Sequence, residues 1–334
     1  MRLNDPNDAC LTPATCDESD DLCTTAQTSV HPQDISVDAL RPSLAVTWRH
    51  SGWCRLRRTT YDALTRSSGS TSRLERFARC GSSAWVCHAD GDPTRLRLLA
   101  DYCHDRFCRP CAAARSRRLA DALTAHVGNR RVRLITLTLR SCRDPLKVQL
   151  KRMMLCFRNL RQRPWWQAKV TGGLACIEVT HSAETGLWHP HVHVIACGSY
   201  VPQAELSGQW LSVTGDSPVV DVRDGGDVAA TCRYVSKYVS KGVPASIMGN
   251  VNLACEVVTA FTGTRGYTTF GDWHGLAVTV TDDDTLWIKI APLDAIICAS
   301  QRGDGRADAL LERLRPKNFE ETSTQHTTPG ARGP

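Results

Sequence analysis

The sequence predicts an α+β fold, and three observations lead to this prediction. Residues 175–180 and 189–195 are two β-rich runs separated by turn residues, so they are expected to pair as an antiparallel hairpin. A third β-rich run lies upstream at 131–139. Apolar residues recur at helical spacing over 146–160 and 228–239, which predicts amphipathic helices before and after the hairpin.

Composition gives a modest basic excess, with 41 basic against 34 acidic residues in a chain of 334. This excess of +7 is compatible with a nucleic-acid partner but is not diagnostic of one. Arginines are concentrated between Arg49 and Arg163, and a guanidinium group binds phosphate oxygens with two parallel hydrogen bonds. The alternative interpretation is an ordinary solvated surface.

The chain has no apolar run of the roughly 18 residues that a membrane span requires, and its N-terminus does not resemble a signal peptide. We therefore expect a cytoplasmic protein without a membrane partner. Sixteen cysteines are many for a reducing compartment. They are expected to be thiols and metal ligands rather than disulfides.

Changes of composition along the chain predict six segments. Both ends are polar and are expected to be disordered, whereas the interior has the apolar periodicity of a folded protein. The segments are a disordered acidic N-terminus (1–45), a basic lead-in (46–79), a cysteine-rich segment (80–115), a domain that carries the hairpin (116–250), an extension of that domain (251–315) and a disordered tail (316–334).

The cysteine-rich segment predicts a structural zinc site. Cys103, Cys108 and Cys111 lie within nine residues, with the spacing of a zinc knuckle, and Cys80 is our choice for the fourth ligand. Three further residues compete for that position: Cys87, His88 and His104. The alternative is a group of buried free cysteines.

The elements between the cysteines and the hairpin follow from end signals and periodicity. A helix is predicted over 112–126, where Gly128 stops it, and a central strand over 131–139. Asp144 is predicted to cap the next helix, with Pro145 at its first position. The apolar stripe of that helix is expected to cover one face of the sheet.

The second strand of the hairpin carries alternating histidines. His189, His191 and His193 share one face of an extended strand, and the hairpin lays Glu178 across from them. Two imidazoles and one carboxylate can bind a divalent ion and leave positions open for a substrate. The alternative is a set of packed histidines on a half-buried strand.

The last motif is a helix over 227–242, framed by an aspartate N-cap and a terminal glycine. Tyr234 and Tyr238 lie four residues apart and project together, with Lys237 and Lys241 alongside. Lysine charge and a nearby metal would favour the phenolate form, as a tyrosine that attacks phosphorus requires. The alternative is an amphipathic helix with two half-buried tyrosines.

Together these motifs resemble the rolling-circle replication initiators of the HUH endonuclease superfamily, in particular plasmid Rep proteins. The resemblance covers roughly residues 80–275. It is carried by the apolar-threonine run at 135–138, by Trp-His-Pro-His-Val-His at 188–193, by Glu178 on the preceding strand, and by the repeated Tyr-x-x-Lys motif at 234–241.

The resemblance implies an HUH fold, with a central antiparallel sheet flanked by helices, and a catalytic domain at 116–250. It implies that His191, His193 and Glu178 bind catalytic Mg²⁺ or Mn²⁺, with His189 beside these ligands. Tyr238 is the first choice for the nucleophile. Some plasmid initiators have a glutamate one turn earlier, where this chain has Tyr234, so Tyr234 is a second nucleophile or a positioning residue. Two lysines would orient the phosphate or the phenol: Lys237 and Lys241.

The resemblance also implies a bacterial DNA nickase that forms a 5′-phosphotyrosine link and a free 3′-OH and later rejoins the strand. Its partners would be single-stranded or cruciform origin DNA, a host helicase and a polymerase. Four arginines in and after the cysteine group are candidate DNA contacts: Arg109, Arg115, Arg117 and Arg118. Two alternatives stay open, namely an HUH transposase and a non-catalytic, zinc-dependent DNA-binding protein.

Overall fold

The computed structural model describes residues 43–67, 70–241, 243–276 and 285–315, with the side chains of residues 240 and 241 left undescribed. The described chain forms two compact units, the first of residues 43–82 and 101–276 and the second of residues 83–100 and 285–315.

The two segments predicted to be disordered, 1–45 and 316–334, lie outside the described residues except for residues 43–45. A helix begins at Leu44, one residue before the end of the segment predicted to be disordered. The Ser43 side chain accepts a hydrogen bond from the Val46 amide at this helix start, and two buried residues follow it, Ala45 and Val46.

The described chain contains twelve helices and eight strands. The helices are α1 (Leu44–Arg49), α2 (Cys54–Arg66), α3 (Thr71–Ala78), α4 (Arg109–Val127), α5 (Leu146–Arg161), α6 (Pro164–Lys169), α7 (Gln203–Thr214), α8 (Val228–Lys241), α9 (Ala245–Met248), α10 (Val251–Phe261), α11 (Leu293–Gln301) and α12 (Gly305–Leu314). The strands are β1 (Trp85–Ala89), β2 (Asp92–Leu99), β3 (Val132–Thr138), β4 (Val170–His181), β5 (Trp188–Gly198), β6 (Val220–Asp224), β7 (Tyr267–Gly271) and β8 (Trp287–Pro292).

The first unit is built on a five-stranded sheet of order β6-β3-β5-β4-β7, in which every neighbouring pair is antiparallel. The predicted hairpin is β4–β5, and the predicted central strand is β3. In this register Glu178 lies opposite His191, whereas Thr138 and Thr136 lie opposite His191 and His193 from the other side. The α+β class is therefore confirmed.

Side chains alternate between the two faces of this sheet along each strand, so each face packs against a different set of helices. Val192 and Val194 of β5 belong to the larger apolar core, which includes residues of α5 and α6. Ile195 and Cys197 belong to a second apolar cluster with residues of α4 and α8. Further along this second face, β5 carries His193 and then His191, so the face changes from apolar to polar along the strand.

Two predicted helix starts had different outcomes. Asp227 caps α8 as predicted, because its Oδ1 accepts a hydrogen bond from the Ala230 amide at 2.5 Å. The predicted cap of α5 by Asp144 is wrong. The Leu146 amide instead donates to Glu256 Oε1 at 3.0 Å, and this carboxylate is supplied by α10, more than one hundred residues away.

The second unit contains a three-stranded antiparallel sheet of order β2-β1-β8, together with α11 and α12. The boundaries of the six segments predicted from the sequence differ from the boundaries of these two units. Residues 83–100 of the predicted cysteine-rich segment form β1 and β2, and β1 pairs with β8 some two hundred residues later. Within the predicted extension 251–315, α10 and β7 belong to the first unit. Pairing over such a separation leaves no local signal in the sequence.

The described part of the chain carries free thiols at each of its cysteines. None of the described helices has the length and the apolar content that crossing a membrane would require.

The aromatic centre of the larger core gives a stability prediction. Phe157 on α5 is fully buried, and its ring centroid lies 6.2 Å from that of Trp166 and 5.7 Å from that of Phe270. We expect Phe157→Ala to lower the free energy of unfolding by about 3–5 kcal/mol in urea denaturation, because it leaves a cavity. Leu155 on the same helix is 47% exposed, so Leu155→Ala is the control and should cost less than about 1 kcal/mol. Equal losses would contradict this packing.

Candidate active site

Glu178, His191 and His193 lie together on the sheet face that α8 covers. His193 Nε2 is 2.7 Å from Glu178 Oε2, and the ring centroids of His191 and His193 are 6.3 Å apart. His193 is 8% exposed, and 22% of the Glu178 side chain is exposed. The strand register alone brings the three residues together, as the alternation in the sequence predicts.

The hydroxyls of two threonines of β3 form hydrogen bonds with Nδ1 of the two histidine rings. Thr136 Oγ1 lies 3.2 Å from His193 Nδ1, and Thr138 Oγ1 lies 3.0 Å from His191 Nδ1. The proton on His193 Nε2 donates to Glu178 in this structure, so the Thr136 hydroxyl donates to Nδ1. With a cation bound, each ring would instead carry its proton on Nδ1, donate it to its threonine and present the Nε2 lone pair to the ion. We did not predict this role for the threonines. Their period of two along β3, which matches the period of the histidines, was the available signal.

The donors fit a divalent cation. Imidazole nitrogens and a carboxylate oxygen are ligands that such ions accept, and hydrogen bonds to the far ring nitrogen are the usual support of a histidine ligand. Burial lowers the pKa of His191, so its ring is neutral at pH 7, as a metal ligand must be. A bound ion would replace the direct hydrogen bond between Glu178 and His193.

His189, the third histidine of the strand, makes a different contact. Its Nδ1 lies 2.5 Å from Ser141 Oγ, in the segment that follows β3. Its strand partner is Thr180, two residues beyond Glu178. His189 therefore lies beside the cluster, at the strand end where β4 and β5 are joined.

Helix α8 brings both tyrosines to the histidine cluster. The ring of Tyr238 stacks on that of His193, with centroids 3.8 Å apart and an angle of 5° between the ring planes. The Tyr238 hydroxyl donates to the Tyr234 hydroxyl at 2.9 Å. Tyr238 is 8% exposed and Tyr234 is 39% exposed, so the two phenols form a pair that runs from the cluster to the surface.

The electrostatics of Tyr238 differ from what the sequence predicts. Burial raises the pKa of Tyr238, and the hydrogen bond with Tyr234 and the negative charge of Glu178 raise it further. Tyr238 is therefore a neutral phenol at pH 7. The ammonium of Lys237 does not reverse this effect, because it lies over the ring faces, 3.8 Å from the centroid of Tyr234 and 5.0 Å from that of Tyr238. The side chain of Lys241 lies outside the described residues.

The predicted zinc ligands also come together. Cys80, Cys103, Cys108 and Cys111 are buried, and their sulfur atoms all lie within 4.8 Å of one another. Three of the distances between sulfur atoms, Cys80–Cys108, Cys80–Cys111 and Cys103–Cys111, are 3.5–3.7 Å. These distances are close to the edge of about 3.8 Å that four Zn–S bonds of about 2.3 Å would give in a tetrahedron. This group could hold a metal such as zinc. The three competing residues lie outside it: Cys87, His88 and His104.

Two residues at the end of α1 contact the cysteine group. Arg49 Nη2 lies 3.6 Å from Cys111 Sγ, and His50 Nε2 lies 2.7 Å from the Cys80 carbonyl oxygen. Hydrogen bonds from the neighbouring thiols lower the pKa of Cys80, which favours the thiolate that a metal requires. We did not predict a role for Arg49 or His50, because nothing in their local sequence indicates that they pack against the cysteines.

The four candidate DNA-binding arginines lie on α4, which also carries Cys111 of the cysteine group. Arg117 and Arg118 are exposed. Arg115 donates a hydrogen bond to the carbonyl oxygen of His104, and Arg109 is the first residue of the helix.

Comparison with known proteins finds one family model, described as a replication protein, that matches residues 95–271, just over half of the chain. A "Protein rep" of Bacillus amyloliquefaciens is 30% identical over 183 residues, which are 49% of this chain and 54% of the relative. Another, from a Bacillus species, is 30% identical over 182 residues, 49% of this chain and 59% of the relative. A third, from Streptococcus pneumoniae serotype 2, is 28% identical over 172 residues, 45% of this chain and 53% of the relative.

The chain thus spans less than two thirds of the length of these curated relatives. No solved structure matches it.

The cysteine geometry predicts a metal content. We expect the purified protein to contain about one equivalent of zinc by elemental analysis, and Cys108→Ser to lose most of it, because three thiolates bind zinc more weakly than four. Cys142→Ser is the control, because Cys142 lies outside the cluster and should leave the zinc content unchanged. Zinc-free wild-type protein that is still fully folded would contradict a structural metal at this group.

Proposed function

The chain belongs to the replication protein family, and from this premise we propose that it is a rolling-circle initiator that nicks and rejoins single-stranded origin DNA. In this proposal the first unit has the HUH endonuclease fold. The observation that carries it is the stacking of Tyr238 on His193 at 3.8 Å, because the candidate nucleophile touches the candidate metal ligands. Among the alternatives, the family match favours replication over transposition.

The proposed reaction is a transesterification at a phosphodiester of single-stranded DNA. The Tyr238 oxygen attacks phosphorus, the bond from phosphorus to the 3′ oxygen breaks, and the tyrosine becomes linked to the 5′ phosphate. The proton of the phenol leaves as the new bond forms, and the departing 3′ oxygen takes up a proton to become the free 3′-OH. Attack by that 3′-OH reverses the step and rejoins the strand without another energy source.

The raised pKa of Tyr238 means that attack must include removal of its proton. The Tyr234 hydroxyl already accepts the hydrogen bond from Tyr238 and is the more exposed of the two phenols. Tyr234 therefore either orients the Tyr238 oxygen and relays the proton, accepting it from Tyr238 while releasing its own hydroxyl proton to solvent, or acts as a second nucleophile when the strand is transferred. Lys237 holds both rings in place through its contact with their faces, and we assign Lys241 to orient the phosphate.

His191, His193 and Glu178 would hold Mg²⁺ or Mn²⁺, with Thr136 and Thr138 orienting the two rings and His189 beside them. When bound, the ion supplies positive charge that polarises the scissile phosphate and stabilises its oxygens. The four-cysteine group would hold zinc and fix the segment that leads into α4, whose arginines contact the DNA backbone. Single-stranded or cruciform origin DNA is the proposed substrate, with a host helicase and a polymerase as partners.

A nicking assay tests the proposal. With Mn²⁺, the protein should cut single-stranded DNA that carries the origin and should stay attached to the 5′ side of the cut. We expect Tyr238→Phe to reduce cutting by at least about 10³-fold, because it removes the nucleophilic oxygen. Tyr61→Phe is the matched control, because Tyr61 lies on α2 and packs against the larger core. Undiminished cutting by a Tyr234→Phe, Tyr238→Phe double variant would refute the tyrosine assignment.

The single Tyr234→Phe variant separates the two roles of Tyr234. A positioning residue predicts a slower first cut, because the hydrogen bond to Tyr238 is lost. A second nucleophile predicts a normal first cut and a loss of strand transfer. The two steps are measured separately on one labelled oligonucleotide.

Metal binding gives an independent prediction. We expect the double variant Thr136→Val, Thr138→Val to weaken Mn²⁺ binding by about 10–100-fold, because both histidine rings lose their support. His191→Ala removes a ligand and should weaken binding further. Thr268→Val is the control, since Thr268 lies in the same sheet and its hydroxyl contacts the Thr269 carbonyl. Mn²⁺ affinity is measured by electron paramagnetic resonance titration, and an unchanged affinity in the double variant would contradict the threonine role.

A further inference from the structure

A polar cavity of about 350 Å³ lies in the first unit, beside the cysteine group. Four guanidinium groups line it, contributed by α3, by the loop between Cys103 and Cys108, and by α4: Arg73, Arg76, Arg106 and Arg115. We call this the arginine pocket. Its wall also includes Val239, the residue that follows Tyr238 on α8.

The charge in the arginine pocket is unbalanced. Among its lining residues Asp105 is the one carboxylate, and it binds Arg73 through two contacts of 2.6 and 3.3 Å. Four positive charges and one negative charge leave an excess of three. The alternative, that the arginines balance thiolates of the cysteine group, fits Arg49 better, because Arg49 is the arginine that contacts Cys111.

The positive charge of Arg106 is the least balanced of the four by its neighbours. Its guanidinium donates to the carbonyl oxygens of Phe261 and Thr264 at 3.4 and 3.1 Å and stacks on the Phe261 ring with a separation of 4.4 Å. These partners are uncharged, and of its charged neighbours Arg115 and Arg73 repel it whereas Asp105 attracts it. A half-buried cation with such neighbours would be stabilised by an anion in the cavity.

The loop that supplies Arg106 is held in an unusual conformation. His104 has a φ of 53°, in the left-handed region that a residue with a side chain rarely adopts, and its carbonyl oxygen accepts a hydrogen bond from Arg115. Cys103 and Cys108 hold the two ends of this loop in the cysteine group. Backbone strain of this kind is common where a loop is shaped to hold a ligand.

We infer that the arginine pocket binds a backbone phosphate of the single-stranded DNA, close to the phosphate that Tyr238 attacks. This inference rests on the proposed function and adds a position for the strand. A phosphodiester suits the pocket because it carries one negative charge and oxygens that a guanidinium fork can bind. Contacts of this type fix the register of a strand without selecting its bases. Val239 lines the pocket and follows Tyr238 on α8, so the pocket and the tyrosine adjoin the same turn of this helix.

Binding of a fluorescein-labelled oligothymidylate, followed by fluorescence anisotropy of the full chain over a range of salt concentrations, tests the inference. The double variant Arg76→Gln, Arg115→Gln removes two pocket charges from residues near the surface. We expect its affinity to fall at least about 10-fold and the slope of log K against log salt concentration to decrease by about 1. The control is Lys151→Gln, Arg158→Gln, which removes the same charge from exposed positions on α5 and should change the affinity less than about 3-fold.

Equal losses in the two double variants would overturn the inference, because the effect would then be one of net charge. Circular dichroism and zinc content show whether each variant is folded. If the double variant is not folded, Arg76→Gln alone replaces it, because Arg76 is exposed on α3, and affinity equal to the Arg158→Gln single variant would overturn the inference.

The assay contains no added divalent ion and requires no cutting. A failure of the tyrosine chemistry would therefore leave this result valid.

Discussion

The antiparallel register of β3, β5 and β4 is the constraint on which the candidate site depends. Backbone hydrogen bonds set this register over seven paired residues between β3 and β5 and over most of β4 and β5. It places threonines, histidines and a glutamate in three adjacent columns on one face. A slip by one residue would turn all of these side chains to the opposite face, into the apolar core. The buried valines that alternate with His191 and His193, Val192 and Val194, therefore fix the position of the polar groups.

The same face carries an apolar half and a polar half, and this division explains how α8 is used. Its Val235 and Val239 belong to the apolar cluster that also contains Ile195 and Cys197 of β5. Tyr238, which directly precedes Val239 on this helix, stacks on His193. Packing of the apolar half thus supports the tyrosine against the histidine ring, together with the Tyr234 hydroxyl and the Lys237 ammonium. The pKa of Tyr238 is raised by this burial, which keeps the phenol protonated at pH 7.

Local patterns in the sequence were sufficient for much of the fold and for the composition of the site. Alternation revealed the histidine strand, helical spacing revealed α8, and cysteine spacing revealed three sulfur atoms of the cluster. Long-range partners were not accessible in this way. The cap of α5 by Glu256, the pairing of β1 with β8 and the contact of Arg49 with Cys111 depend on tertiary structure. The threonines of β3 were visible as a motif, but their role required the register.

The central claim is that the Tyr238 oxygen forms the covalent bond to the 5′ phosphate of the DNA. Identification of the linked residue tests this claim most directly. The protein would be trapped with a single-stranded origin oligonucleotide in Mn²⁺, digested, and analysed by tandem mass spectrometry for a peptide carrying a nucleotide. The account predicts a 5′-phosphotyrosine link on α8 at Tyr238, with Tyr234 as a secondary site if both phenols react. A link at a residue outside α8, or cutting without any covalent peptide, would contradict it.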